Sequence, residues 1–118
     1  MPELSLLENI KYFLFNENIN ETTISNVLDK YELDSFKSDL IGDFSSGMVK
    51  RSEIAIADLK NPKVLCIDEP KVYLDENGVD LLLNLITKRE KEGNASILSS
   101  QESIGAFTSI ERSINLND

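Results

Sequence analysis

Apolar residues recur at three- and four-residue intervals through the first thirty positions, then gather into two short uninterrupted runs in the second half. Ser5 followed by Glu8 has the form of a capping box, in which each side chain meets the other residue's backbone amide. Behind it Leu6, Leu7, Ile10, Phe13 and Leu14 fall on one helical face, and the spacing predicts a helix over 5–15. A polar stretch over 16–20 separates this helix from Ile24, Val27, Leu28 and Tyr31, whose repeat predicts a second amphipathic helix over 21–31. A loop carrying Asp34, Ser35 and Gly42 follows, and then a third helix over 47–60. Asn61-Pro62 closes that helix, because proline disfavours helical geometry in the residue before it. Val64-Leu65-Cys66-Ile67 does not alternate with polar residues, the pattern of a strand covered on both faces in a parallel sheet. Val79, Leu82, Leu83 and Ile86 mark the face of a further helix, with Leu81-Leu82-Leu83 as its core cluster, 88–92 as its solvated last turns and Gly93 as its stop. A second apolar run over 95–98 completes strand, helix, strand, the right-handed βαβ unit. The fold class expected is α/β: a helical first half, then a parallel βαβ unit. Residues 107–116 fit a helical turn or an edge strand equally well.

Composition narrows the function. A chain of 118 residues holds one small domain and not two, and 41% hydrophobic with 28% charged residues is the balance of a globular protein. With 21 acidic against 12 basic side chains the net charge of −9 repels phosphate backbones and anionic head groups, which argues against a nucleic-acid partner. Histidine is absent, so histidine-ligated metals and Ser-His-Asp or Cys-His catalysis cannot be built from these residues alone. The single cysteine, Cys66, forms no internal disulfide and, inside an apolar strand, is expected to be buried packing. No apolar run approaches the ~20 residues of a spanning helix, and Met1-Pro2-Glu3-Leu4 has no charged leader, so a membrane is expected to be reached only through a partner.

Two places carry chemistry. Four apolar residues followed by Asp68-Glu69 have the Walker B form, in which a buried parallel strand aims two carboxylates out of its C-terminal end, where open α/β sheets bind ligands. The aspartate is suited to Mg²⁺, usually through water, and the glutamate to the water that attacks a γ-phosphate; an acidic turn after a core strand would look the same. Upstream, Phe44-Ser45-Ser46-Gly47-Met48 is a small-residue turn before a helix. Glycine there lets backbone amides approach an anion at the positive helix end, although an ordinary Ser-Gly cap has the same residues.

Together these residues resemble the C-terminal half of an ABC-transporter ATPase, whose signature is usually written LSGGQ. Residues 44–48 take the five signature positions, Arg51 the basic position after them, and Ile54-Ala55 with Ala57 parts of the small-apolar helix. Pro62 stands where that family often has a proline, and Asp68 lies 24 positions after Phe44, the family's usual interval. Leu74-Asp75 match the end of the D-loop, and Leu4-Ser5-Leu6-Leu7-Glu8-Asn9-Ile10 looks like the helix that opens the family's helical subdomain. Ser45-Ser46-Gly47-Met48, the leucine-rich run over 80–86 and Leu98-Ser99-Ser100 look most like the ATP-binding subunits of the cytochrome c maturation haem exporter, the CcmA group.

The resemblance implies a partial P-loop NTPase (ABC ATPase) fold over 1–118, with a helical subdomain over about 1–62 and a Walker B, D-loop and switch part over 63–118. It also implies ATP and Mg²⁺ as cofactors, Asp68 at the metal, and Glu69 and Gln101 as catalytic positions. Ser45, Ser46, Gly47, Met48 and Asp75 would be nucleotide and dimer contacts. The partners implied are a membrane subunit and a second ATPase subunit, at the cytoplasmic face of the inner membrane.

The sequence departs from the family in several places. No glycine-lysine phosphate loop precedes the signature, so the expectation is a truncated domain that does not bind ATP tightly alone, and whose βαβ unit exposes a sheet edge. Gln101 stands at the switch-histidine position and can donate a hydrogen bond but not carry a proton. Ile56 replaces an arginine, and Glu53 and Asp58 put acids where small apolar residues are usual. Competing readings are a non-catalytic interaction module or gene remnant, and an ATPase of the same superfamily acting on DNA or translation, which the acidic balance disfavours.

Overall fold

A computed structural model describes residues 1–70 and 72–99. Helices α1 (Leu6–Phe13), α2 (Glu21–Lys30) and α3 (Ser46–Lys60) form the first half, with short 3₁₀ turns at Asp34–Phe36 and Ile41–Asp43 in the loop before α3. Strand β1 (Val64–Asp68), helix α4 (Glu76–Lys91) and strand β2 (Ala95–Ser99) form the second. Each α-helix starts on a side-chain cap. Ser5 Oγ accepts from the Glu8 amide at 3.1 Å while the Ser5 amide donates to Glu8 Oε1 at 2.9 Å, the reciprocal box the sequence predicts. Those bonds hold the Glu8 carboxyl below its ordinary range. Asn20 and Ser45 accept from the amides of Thr23 and Met48, and Asp75 from that of Gly78. At the far end of α3, Asn61 takes the left-handed conformation (φ 44°), a helix stop that asparagine tolerates better than most side chains.

One apolar cluster joins the halves. Leu6, Ile10 and Leu14 of the first helical segment meet Ile24, Leu28 and Tyr31 of the second, Leu33, Ile54, Ala55 and Leu59, and finally Leu82, Leu85 and Ile86 of α4. Leu82 of the predicted leucine cluster is fully buried, with Leu81 and Leu83 packed partly against it. Asp58 sits inside this assembly rather than on the surface. It accepts from Tyr31 Oη at 2.9 Å and pairs with Lys30 at 2.6 Å and Lys88 at 3.3 Å, tying α2, α3 and α4 together. Burial pushes its carboxyl up, but the hydrogen bonds from Lys30 and Tyr31 and the two lysine charges outweigh that and hold it below the usual range. The Tyr31 phenol is pushed far up, first by burial and then by the Asp58 charge.

Strands β1 and β2 pair in parallel, with Val64 opposite Ala95 and Asp68 opposite Ser99, as the βαβ pattern predicts. Two expectations need correction. First, β1 is covered on one face only. Leu65, Ile67 and Leu98 pack against the core, whereas Val64 and Ile97 are both 55% exposed and Cys66 is exposed rather than buried. Side chains alternate across a strand, and among the described residues only the core side of this sheet is packed. Second, 88–92 is not a uniformly solvated turn, because Arg89 is fully buried. It lies seven residues after Leu82 and four after Leu85, on the same helix face. Its guanidinium donates to Ser96 Oγ at 3.0 Å, Asn61 Oδ1 at 2.9 Å and the Ala95 carbonyl at 2.7 Å, bonds that offset much of the cost of burying the charge. Among the described residues no helix is long and apolar enough to cross a membrane. The 107–116 segment and Gln101 lie outside the described residues.

Candidate functional site

The serine-glycine turn is built by a change of backbone direction. Phe44 and Ser45 are extended (ψ 148° and 163°), and Ser46 begins the 15-residue helix α3. Ser45 Oγ takes the Met48 amide, while the amides of Ser46 and Gly47 lie in the first turn, where the helix itself supplies no acceptor. Gly47 has a steric reason as well. A Cβ there would lie 3.0 Å from the Tyr73 carbonyl oxygen, so the loop after β1 can approach α3 this closely only at a glycine. The turn is therefore a helix N-terminus whose first amides have no acceptor within the helix, the arrangement suited to an anion.

The acidic pair stands at the carboxyl end of the sheet, as the Walker B form requires. Asp68 is the last residue of β1, and its Oδ1 accepts from Ser99 Oγ at 2.7 Å, across the strand pair. Glu69 follows in the left-handed region (φ 50°) with its amide donating to the Ser99 carbonyl, and Tyr73 is also left-handed (φ 68°). The Cβ of any residue but glycine makes that region costly, so this loop is held in a conformation it would not choose alone. The donor set at the tip fits part of a Mg²⁺ sphere. Asp68 offers a carboxylate and Ser99 a hydroxyl, the hard oxygens that Mg²⁺ takes from a protein while water and phosphates fill the rest. Among the described residues no three His, Cys, Asp or Glu side chains gather into a complete metal site, so such an ion would depend on nucleotide for its other ligands.

Helix α3 reaches both sides of this loop. Lys50 Nζ donates to the Asp68 carbonyl at 3.0 Å. Arg51 donates from Nη2 to Asp75 Oδ1 at 2.9 Å, and from Nη1 to Glu32 Oε2 at 3.3 Å and the Tyr31 carbonyl at 3.4 Å. Asp75 Oδ1 also accepts the Gly78 amide at 2.8 Å, and that bond together with Arg51 holds its carboxyl below the usual range. An open pocket of about 320 Å³ lies between these parts, lined by Ser45, Gly47, Met48, Arg51, Tyr73 and Asp75 with Glu32 and Leu33. The structure thus brings Ser45, Gly47, Met48 and Asp75 to one pocket, while Ser46 is not in its lining and Asp68 and Glu69 stand at the strand tip outside it. Lys50, Glu32 and Ser99 carry contacts that sequence reading did not assign. The available signal was the adjacent Lys50-Arg51 pair one turn into α3, since neighbouring helix positions point about 100° apart and can serve two structures at once.

Comparison with known proteins places these features in context. The family model described as ABC transporter matches residues 1–72. The chain is 34% identical to the L-arabinose transport ATP-binding protein AraG of Geobacillus stearothermophilus, over 98% of this chain and 24% of that protein. It is 34% identical to the lantibiotic transport ATP-binding protein SrtF of Streptococcus pyogenes, over 82% of this chain and 42% of that one. The cytochrome c biogenesis ATP-binding export protein CcmA of Shewanella oneidensis matches at 29%, over 87% and 48%. Among solved structures, the ATP-binding subunit of an ABC transporter superposes with a TM-score of 0.76 at 26% identity, covering 85% of this chain and 43% of the other. The chain spans about half, or less, of the length of the relatives it matches.

Proposed function

The chain belongs to the ABC transporter family, and from that membership we propose that it carries the signature, Walker B and D-loop parts of a transporter's ATP-binding subunit. The observation that carries the proposal is that Gly47 lies at a Ser45-capped helix start while Asp68, with Glu69 next to it, ends β1 at the sheet's carboxyl edge. In this reading the amides of Ser46 and Gly47, with Ser45 and Met48 shaping the turn, bind the γ-phosphate of ATP held by a second ATP-binding subunit. Asp68 takes part in holding Mg²⁺, which when bound neutralises phosphate charge. Glu69 orients water, Gln101 offers an amide donor to the γ-phosphate, and Asp75 faces the opposite subunit. The partners are that second subunit and a membrane subunit, with the chain peripheral at the cytoplasmic face of the inner membrane.

The finer reading is an ATP-binding subunit of the haem exporter of cytochrome c maturation. It is supported by the Ser-Ser-Gly-Met turn and the 29% identity to CcmA, while proteins named for arabinose and lantibiotic transport match at 34%. A second reading, a non-catalytic interaction module, draws support from Gln101 and from the exposed aromatic side chains Tyr12 (61%) and Phe15 (79%) beside the helical core. One experiment separates them: phosphate release and nucleotide binding in Mg²⁺-ATP, with the chain alone and mixed with a full-length ATP-binding subunit of the family. The proposal expects the chain to change release by the full-length subunit, and Gly47→Asp, which puts bulk and negative charge at the turn, to abolish that change. No effect of the chain in either mixture overturns the ATPase reading and leaves the interaction module.

A further inference from the structure

Among the described residues of the loop between β1 and α4, Glu69 and Tyr73 are left-handed without being glycine, and helix α3 touches the loop at three separate points. Lys50 Nζ meets the Asp68 carbonyl at its start, the Gly47 backbone lies against the Tyr73 carbonyl near its end, and Arg51 pairs with Asp75 where it enters α4. The Arg51 side chain is only 12% exposed and is braced from behind by Glu32 and the Tyr31 carbonyl. Glu32 in turn accepts from Asn77 Nδ2 at 3.4 Å, which ties the first turn of α4 to the end of α2. We propose that Arg51 is a positioning residue: it fixes Asp75 and the far end of the strained loop to the signature helix, so that the loop keeps its shape beside the Ser45-Gly47 turn.

The physical case is that strain needs an outside tether. Left-handed φ at Glu69 and Tyr73 disfavours this loop shape; the start of the loop is tied by the Glu69 amide to the Ser99 carbonyl and by the Val72 amide to the Glu69 carbonyl, and Arg51 holds its far end at Asp75. Lys50 and Arg51 are neighbours in sequence but diverge around the helix, so one turn of α3 reaches both ends of the loop. Arg51 suits the second position because its planar fork serves Asp75 with one nitrogen and Glu32 with the other, a geometry that a lysine ammonium cannot reproduce.

The inference rests on the reading above only in giving the loop a nucleotide role; the tether itself is testable without nucleotide. Amide hydrogen exchange of the 118-residue chain is compared among the unchanged protein, Arg51→Ala, Arg51→Lys and Asp75→Asn. Asparagine keeps the helix cap on Gly78 and removes the charge pair. The tether predicts that the Val72 amide exchanges about fivefold faster in Arg51→Ala and in Asp75→Asn, with amides of β1 and α1 unchanged and Arg51→Lys intermediate. It also predicts that the Asp75 carboxyl, followed by carbon NMR, titrates at higher pH in Arg51→Ala. If Arg51→Ala does not fold, the Asp75→Asn result decides. Unchanged Val72 exchange, or acceleration spread equally over the whole chain, overturns the tether and leaves the ATPase reading intact. Absence of any nucleotide effect in the mixing experiment overturns that reading and leaves the tether.

Discussion

The helical half and the strand half of this chain solve the same packing problem with different completeness. In the helical half, every inward apolar side chain of α1 and α2 meets the core, and the one buried acid, Asp58, has three donors around it. In the strand half, one face of the two-stranded sheet packs and the other presents Val64, Cys66 and Ile97 to solvent. The difference shows where stability resides and where function is exposed. The helices share one closed core with α4, and the acidic tip is held from outside the sheet by α3.

That contrast predicts a graded response to substitution. Leu28→Ala, at a fully buried core position, should cost on the order of 2–5 kcal/mol in urea unfolding, through lost transfer energy and the cavity left behind. Arg89→Met should come next at about 2–3 kcal/mol, because it leaves Asn61 Oδ1, Ser96 Oγ and the Ala95 carbonyl without their donor in a buried place. If Arg89→Met were neutral, the guanidinium would not be the link between α4 and β2 described here.

The Asp58 network adds a pH dependence with a definite sign. Its folded carboxyl is depressed, so its contribution is present above the ordinary aspartate value near ~3.9 and is lost as pH falls through the folded value. The Tyr31 phenol is raised in the fold, so stability tied to the neutral phenol is present below ~10 and declines as pH rises beyond it. Chemical denaturation across pH should therefore show an acid limb below about pH 4 that Asp58→Asn flattens. An unchanged limb in that variant would place the acid sensitivity elsewhere. The smallest effect is expected on the bare sheet face: Ile97→Ala should shift stability by no more than about 0.5 kcal/mol. A loss several times larger would mean that this face is covered in solution. The same holds for Cys66, whose thiol should react with a disulfide reagent in the folded chain as readily as in the unfolded one.

Much of this was legible before any coordinates. The Ser5-Glu8 box, the Ser45 cap and the Asn61-Pro62 stop are local chemistry, and local chemistry is written in neighbouring residues. The parallel βαβ pairing followed from two apolar runs joined by an amphipathic helix. Arg89 was misread because charge composition, taken alone, hides helical phase: its place seven after Leu82 outweighed its neighbours Lys88 and Glu90. Cys66 was misread because an unalternating apolar strand implies cover on both faces without saying what supplies it. The Arg51-Asp75 and Lys50-Asp68 contacts join residues 24 and 18 positions apart. Such pairs depend on how α3 lies against the loop, which no local pattern encodes.

The central proposal is that the Ser45-Gly47 turn contacts nucleotide held by a second ATP-binding subunit. Its most direct test is analytical ultracentrifugation of the chain mixed with a full-length ATP-binding subunit of the family whose hydrolysis has been blocked, with and without Mg²⁺-ATP. The account predicts a mixed complex that appears only with Mg²⁺-ATP and disappears with Gly47→Asp. A complex indifferent to nucleotide, or none under either condition, would contradict it.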